Sequence, residues 1–329
     1  MMRRSSAAKV GRLLGVLLVA VSVASLTVSC EGIEPGNPVL PPGFGEARLP
    51  DVSIKGYAYI KPQARLSVPL SRFLDEKEPS VGLPSEAGIE LWSVWVGPRP
   101  RDFGMTFEFS DAAVLDVVVE QLAQKPGRME HMRLGNSLYY FNGEVEWVEA
   151  VKASIGEGRF VGVEDAYPDE WKLIQLLPEE PPGEVLGAGF GKLDDEFLEG
   201  MEAEFGGLGG DVRELANAAR IRNAVFGLYA DETPKTLSEF DEDFLMRMGL
   251  SALVITKAGY PGFIINFLFG RAASGAGLEK VSIEGGDAYY KALQENLRIM
   301  VKNRGGIFFA TVASERDKAQ RLMESTLKE

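Results

Sequence analysis

Histidine occurs once in this chain, at His131, and cysteine once, at Cys30, so the residue types that most often move protons or hold metals at neutral pH are scarce. A lone histidine rules out histidine-rich zinc sites and leaves one base for a Ser-His-Asp arrangement. Its place at the start of a predicted exposed strand, matched later by Lys280, reads as an ordinary polar position. Carboxylates are abundant, at 48 Asp plus Glu, and a glycosidase needs two of them at a set separation. Asp194-Asp195-Glu196 stands where a helix should begin, so a cap and a favourable dipole interaction account for it. Asp241-Glu242-Asp243 starts like a calcium loop, but Leu245 takes the place of the third oxygen ligand and no glycine follows. Gly187-Ala-Gly-Phe-Gly191-Lys192 has the look of a phosphate cradle. Leu186, where the first glycine belongs, and Leu193, where Ser or Thr belongs, break that pattern. Neither a metal nor a cofactor is expected. Trp92 and Trp95, and likewise Tyr139 and Tyr140, fall on opposite faces of predicted strands, which puts one of each pair in the core and leaves the other either as ordinary surface or as a platform for a sugar or lipid.

Cys30 closes an apolar run, Leu13 to Val28, that follows Arg3, Arg4, Lys9 and Arg12. A basic region, an apolar region and a small residue before a cleavage point make a secretory signal. Leu26-Thr27-Val28-Ser29-Cys30 resembles the lipobox of bacterial lipoproteins, a resemblance confined to this leader. It implies a signal peptide over residues 1–29, a mature N-terminus at Cys30 carrying fatty acyl groups such as palmitate, and a place on the extracytoplasmic face of the cell membrane. The apolar run is too short for the ~20 residues that span a bilayer. Loss of the leader removes four positive charges and no negative ones, taking the net charge from −13 to −17. An acidic body gains nothing from phosphate counterion release, so nucleic acid is excluded as a partner.

The elements that would carry any site come next. From Gly32 to Pro50 there are five prolines and four glycines, which predicts a semi-extended tether over residues 30–51. A second Pro-rich seam, 178–183, divides the remainder into two segments, 52–177 and 184–329, whose contents run in the same order. Gly56 to Lys61 corresponds to Gly187 to Lys192, and the apolar run Leu91 to Val96 to Ala224 to Tyr229. From Asp111 the offset is 149: Val114, Leu115, Val118 and Val119 align with Phe263, Ile264, Phe267 and Leu268, one buried helical face in each half. Glu130 then aligns with Glu279, Tyr139-Tyr140 with Tyr289-Tyr290 after one inserted residue, and Phe160 to Val163 with Phe309 to Val312, each followed by a capping residue, Asp165 or Ser314, and a closing helix. The expected fold is α+β: two diverged copies of a mainly antiparallel sheet unit with helices packed on it.

The copies differ at one informative place. Asp116 and Glu120, on the outer face of the first helix, become Ile265 and Phe269 in the second, which leaves that helix apolar nearly all round. About fifteen extra residues precede it, with Leu237, Phe240, Phe244, Leu245 and Met248 in an amphipathic pattern that either covers Ile265 and Phe269 or leaves them as a face for an apolar ligand or an envelope protein partner. Met248 to Gly270 reads as strand, turn and helix, not as a second span, because Lys257, Pro261 and Asn266 interrupt it. The resulting expectation is a lipid-anchored, non-enzymatic binding or assembly module of the cell envelope. A carboxylate-dependent hydrolase of envelope polysaccharide and a passive surface scaffold are the alternatives.

Overall fold

The computed structural model describes residues 36–60, 89–124, 129–205, 213, 216–217, 220–231, 249–259, 273, 277–294, 297–304 and 306–326. The first half runs β1 (Arg48–Pro50), β2 (Gly56–Ile60), β3 (Ile89–Val96), β4 (Phe103–Phe109), helix α1 (Ala112–Gln124), a hairpin of β5 (Glu130–Leu134) and β6 (Ser137–Asn142), α2 (Val145–Gly156), β7 (Phe160–Gly162), α3 (Val163–Ala166) and α4 (Pro168–Ile174). The second runs β8 (Glu184–Lys192), α5 (Asp195–Phe205), β9 (Asn223–Ala230), β10 (Ser251–Lys257), a meander of β11 (Glu279–Ile283), β12 (Gly286–Gln294), β13 (Leu297–Arg304) and β14 (Ile307–Ala313), and α6 (Arg316–Ser325). The fold is α+β. Twelve strands form one antiparallel sheet in the order β11-β12-β13-β14-β10-β9-β8-β2-β3-β4-β6-β5, and β1 pairs with β7 in a separate ribbon.

Strand register relates the halves. Ala58 of β2 lies opposite Gly189 of β8, its own counterpart at the offset of 131 between Gly56 and Gly187, so a pseudo-twofold axis passes between them. Tyr57 pairs with Trp95 and Trp95 with Gly104, while Ala188 pairs with Gly227 and Gly227 with Leu253. The same chain of contacts therefore repeats through three strands. It puts Trp95 opposite Gly227 in the alignment, one residue away from the match suggested by the apolar runs, and gives β4 and β10 the offset of 149. The hairpins also correspond without insertion: His131 pairs with Tyr140 as Lys280 pairs with Tyr289.

Beyond the hairpin the halves part. In the first, β6 lies directly against β4; in the second, β13 and β14 stand between β12 and β10. Where the second half forms β13, the first forms α2, whose buried Trp147, Val148, Val151, Ser154 and Ile155 fall at helical spacing. The match of Phe160–Val163 to Phe309–Val312 does not hold, because β7 pairs with β1 whereas β14 fills the sheet between β10 and β13. Asp165 lies inside α3, and α6 is preceded by Glu315, so neither Asp165 nor Ser314 occupies the capping place.

Helices cover both faces of the sheet. On one, α2, α4 and α6 join Trp95, Tyr139, Phe141, Phe190, Val225, Leu253 and Phe309 in a single core. On the other, α1 places Leu115, Val118 and Leu122 on Phe107, Leu138 and Tyr140. Asp111 starts α1 by accepting the Ala113 amide at 2.8 Å. Residues 36–50, expected within a free tether, belong to the first core. The Gly36 amide donates to the Gln175 carbonyl at 3.0 Å and the Val39 amide to that of Pro178 at 3.2 Å. Phe44 is fully buried and stacks on Trp171, with ring centroids 6.2 Å apart. The prolines favour an extended path, and Phe44, Ala47 and Leu49 give that path enough apolar surface to dock.

Candidate functional site

Of the aromatic residues offered as a binding platform, Trp95, Tyr139 and Tyr140 are core. Trp95 is fully buried, its indole N–H donating to Thr106 Oγ1 at 3.1 Å. Tyr139 and Tyr140 do fall on opposite faces, but helices cover both faces there and both rings are buried. Burial pushes the Tyr139 hydroxyl up to about 12, with the Glu108 charge adding to it. His131 is half-buried on β5 and stacks on Tyr140 at 6.0 Å. Gly187 to Lys192 is strand β8, not a phosphate loop. A Cβ on Gly189 would stand 2.1 Å from the Tyr57 carbonyl oxygen and 2.6 Å from the Phe226 ring, so its glycine serves close approach of neighbouring strands. Cys30, Ile265, Phe269, the segment 237–248 and Asp241-Glu242-Asp243 lie outside the described residues.

Polar groups gather at the end of the sheet where β8 finishes and β9 starts. Asp194 caps α5, its Oδ1 accepting the Phe197 amide at 3.0 Å while Oδ2 takes a hydrogen bond from Lys55 Nζ. Burial pushes its carboxyl upward, but the Lys55 and Phe197 hydrogen bonds outweigh that and hold it below the usual aspartate value. One turn on, Asp195 and Glu199 share a face of α5 and line an open cleft of about 680 Å³ with Arg213, Asn217, Arg220 and Arg222. Arg213 pairs with Glu199 at 2.8 Å and Glu202 at 2.7 Å, and Arg222 with Asp195 at 3.6 Å, while its guanidinium donates to Asn217 Oδ1 at 3.1 Å. Arg220 adopts the left-handed conformation at φ 53°. These ion pairs are solvent-exposed, so salt screens them and each adds little to stability. Among the described residues no aromatic side chain lines the cleft.

A second cluster lies on the opposite face of β8. Glu170 of α4 is almost fully buried, with Lys192 Nζ at 3.9 Å, and that ammonium also sits 4.8 Å from the Tyr167 ring centre. Burial raises the Glu170 carboxyl above the ordinary glutamate value, more than Lys192 lowers it. Burial and the Glu170 charge likewise raise Tyr167. Sequence reasoning missed Glu170; the signal available was an acidic residue three and four positions before Leu173 and Ile174, on the apolar face of the helix. Asp102 was missed as well. It is buried, and its carboxylate accepts the amides of Arg99 at 3.2 Å and Glu144 at 2.8 Å, tying two turns together. Among the described residues no group of three or more His, Cys, Asp or Glu is placed to hold a metal ion.

Fold and cleft together define an α+β protein with a polar cleft at one end of a continuous antiparallel sheet. No family model matches the chain, and no curated protein matches it. Among solved structures it is similar to TP0453 in its crystal forms I and III, each with a TM-score of 0.39. Identity is 10% and 11%, over 86% and 87% of this chain and 99% and 98% of theirs.

Proposed function

We propose that this chain is a lipid-anchored module of the bacterial cell envelope that works by binding or assembly. The observation that carries the reading is Cys30, the only cysteine, set at the end of a basic-then-apolar leader and six residues before Gly36, whose amide is bonded to the body. Acylation there supplies membrane attachment. No helix among the described residues is long and apolar enough to cross a membrane, and an acidic body has no electrostatic attraction to anionic lipid. The arginine-lined cleft offers recognition of an acidic group, and the sequence pattern at Ile265 and Phe269 leaves two readings, a face covered by the body or an apolar face for a lipid or protein partner.

Cys30→Ser tests the anchor. The variant should move from the membrane fraction to the soluble fraction, and the intact mass of membrane-extracted parent protein should exceed that of the chain from Cys30 by the acyl groups. An unmodified cysteine in membrane-extracted protein overturns the reading. The double change Ile265→Asp and Phe269→Glu tests the apolar face: loss of capture with an unchanged melting temperature marks an open surface, whereas a large drop in melting temperature marks a buried one.

A further inference from the structure

The tether is much shorter than its composition suggests, and that fixes which end of the body meets the membrane. From Gly36 onward the chain is bound to the body, through the Gln175 and Pro178 carbonyls, the Glu179 carboxylate that accepts the Asn37 amide at 2.6 Å, and the buried Phe44. Six residue steps separate Gly36 from Cys30, which span at most about 20 Å. A free tether to Pro50 would reach roughly 60 Å.

The point of attachment is not central. Helix α4 begins beside Lys192, where Tyr167 and Glu170 meet that side chain, and the chain then runs back to Glu184 at the opposite end of β8. The strap formed by residues 36–50 meets this return path at its N-terminal end, at Gln175 to Glu179. The arginine-lined cleft is built from residues that follow Lys192, precede Asn223 and follow Lys257, all at the other end of the same strands, and on the sheet face opposite α4. Nine residues of β8 separate the two ends by about 30 Å.

We infer that the surface around Gln175–Glu184 is the membrane-proximal end of the anchored protein, held within the length of its leash from the lipid surface, and that the cleft of Asp195, Arg213 and Arg222 is turned away from it. This rests on the reading of Cys30 as the anchor. A leash of about 20 Å holds the attachment end near the bilayer, while repulsion between the acidic body and anionic lipid favours orientations that carry the rest of the sheet outward.

The test uses protein extracted from membranes and reconstituted into phosphatidylethanolamine–phosphatidylglycerol vesicles with an energy acceptor on a fraction of the headgroups. A donor is placed on Glu184→Cys or on Glu196→Cys, both exposed positions; an acylated Cys30 has no free thiol to take the label. Energy transfer should be several-fold stronger from Glu184→Cys than from Glu196→Cys, and a dozen Gly-Ser residues inserted after Glu31 should weaken the first. Equal transfer from both sites, or stronger transfer from Glu196→Cys, overturns the orientation. The anchor is tested separately: the chain beginning at Cys30, carrying the donor on a p-acetylphenylalanine at position 184 or 196 so that Cys30 is its only thiol, and coupled through that thiol to a maleimide headgroup lipid, must show the same inequality whether or not the cell acylates Cys30. A parent protein that fails to partition into vesicles while the coupled one keeps the inequality sinks the anchor and leaves the geometry standing.

Discussion

At the scale of single residues, two positions carry strain that can be measured. Burial keeps the Glu170 carboxyl above the ordinary glutamate value, so the folded protein holds that proton more tightly than the unfolded chain does. Its contribution to stability is full below the unfolded glutamate range and is lost as pH rises through the raised folded value. Glu170→Gln keeps the shape and removes the charge; Lys192, a third exposed, then turns to water. The variant should have the higher urea midpoint at about pH 7, and the advantage should vanish near pH 3. A variant less stable than the parent at neutral pH would mean that the Lys192 contact outweighs desolvation. Gly104 is the second position. A Cβ there would stand 2.2 Å from the Trp95 indole, so Gly104→Ala should cost about 1–3 kcal/mol. In the second half the large and small partners are exchanged, Gly227 facing Leu253. Trp95→Leu should accordingly remove most of the cost of Gly104→Ala, and a double-mutant cycle with no coupling would refute the pairing.

At the scale of elements, the strap distinguishes a docked segment from a linker. Removing residues 36–50 takes away fully buried Phe44, Leu49 at 1% exposure, and the β1–β7 ribbon, and uncovers Trp171 and Tyr59. A chain beginning at Asp51 should therefore lose several kcal/mol relative to one beginning at Gly36, by chemical denaturation; equal stability would return the segment to the role of a tether. Its docking was hard to read because Pro and Gly dominate the composition while three apolar residues do the packing. Much of the sheet was legible. The apolar pattern of Val114, Leu115, Val118 and Val119 located α1, and the offset of 149 holds from β4 and β10 through both hairpins. What failed was non-local. Apolar alternation does not state which strand lies beside β10, so the entry of β13 and β14 there was invisible, and the tyrosine pairs drew the alignment one residue out of register. The Asp194 cap was legible because a cap is local. The cleft was not, since Asp195, Arg213 and Arg222 are brought together only when the ends of β8, β9 and β10 meet.

At the scale of the whole molecule, the two halves share one sheet, and the seam between them is the five-residue pairing of β2 with β8. That pairing lies at the pseudo-twofold axis, and the first core runs through it from Tyr139 to Met300. Unfolding should therefore be cooperative across the halves despite the repeat. The chain supplies its own probe: all four tryptophans, Trp92, Trp95, Trp147 and Trp171, fall in the first half, so fluorescence reports that half while far-ultraviolet circular dichroism reports both. In guanidinium the two signals should share one midpoint. Gly189→Val tests the cause, because its side chain would collide with the Tyr57 carbonyl and the Phe226 ring at the axis itself. The substitution should lower the common midpoint by about 3 kcal/mol of stability or split it into two. Separate midpoints in the parent protein, or a Gly189→Val variant that unfolds like the parent, would show instead that each half carries its own stability and that the shared sheet is only contact between independent folding units.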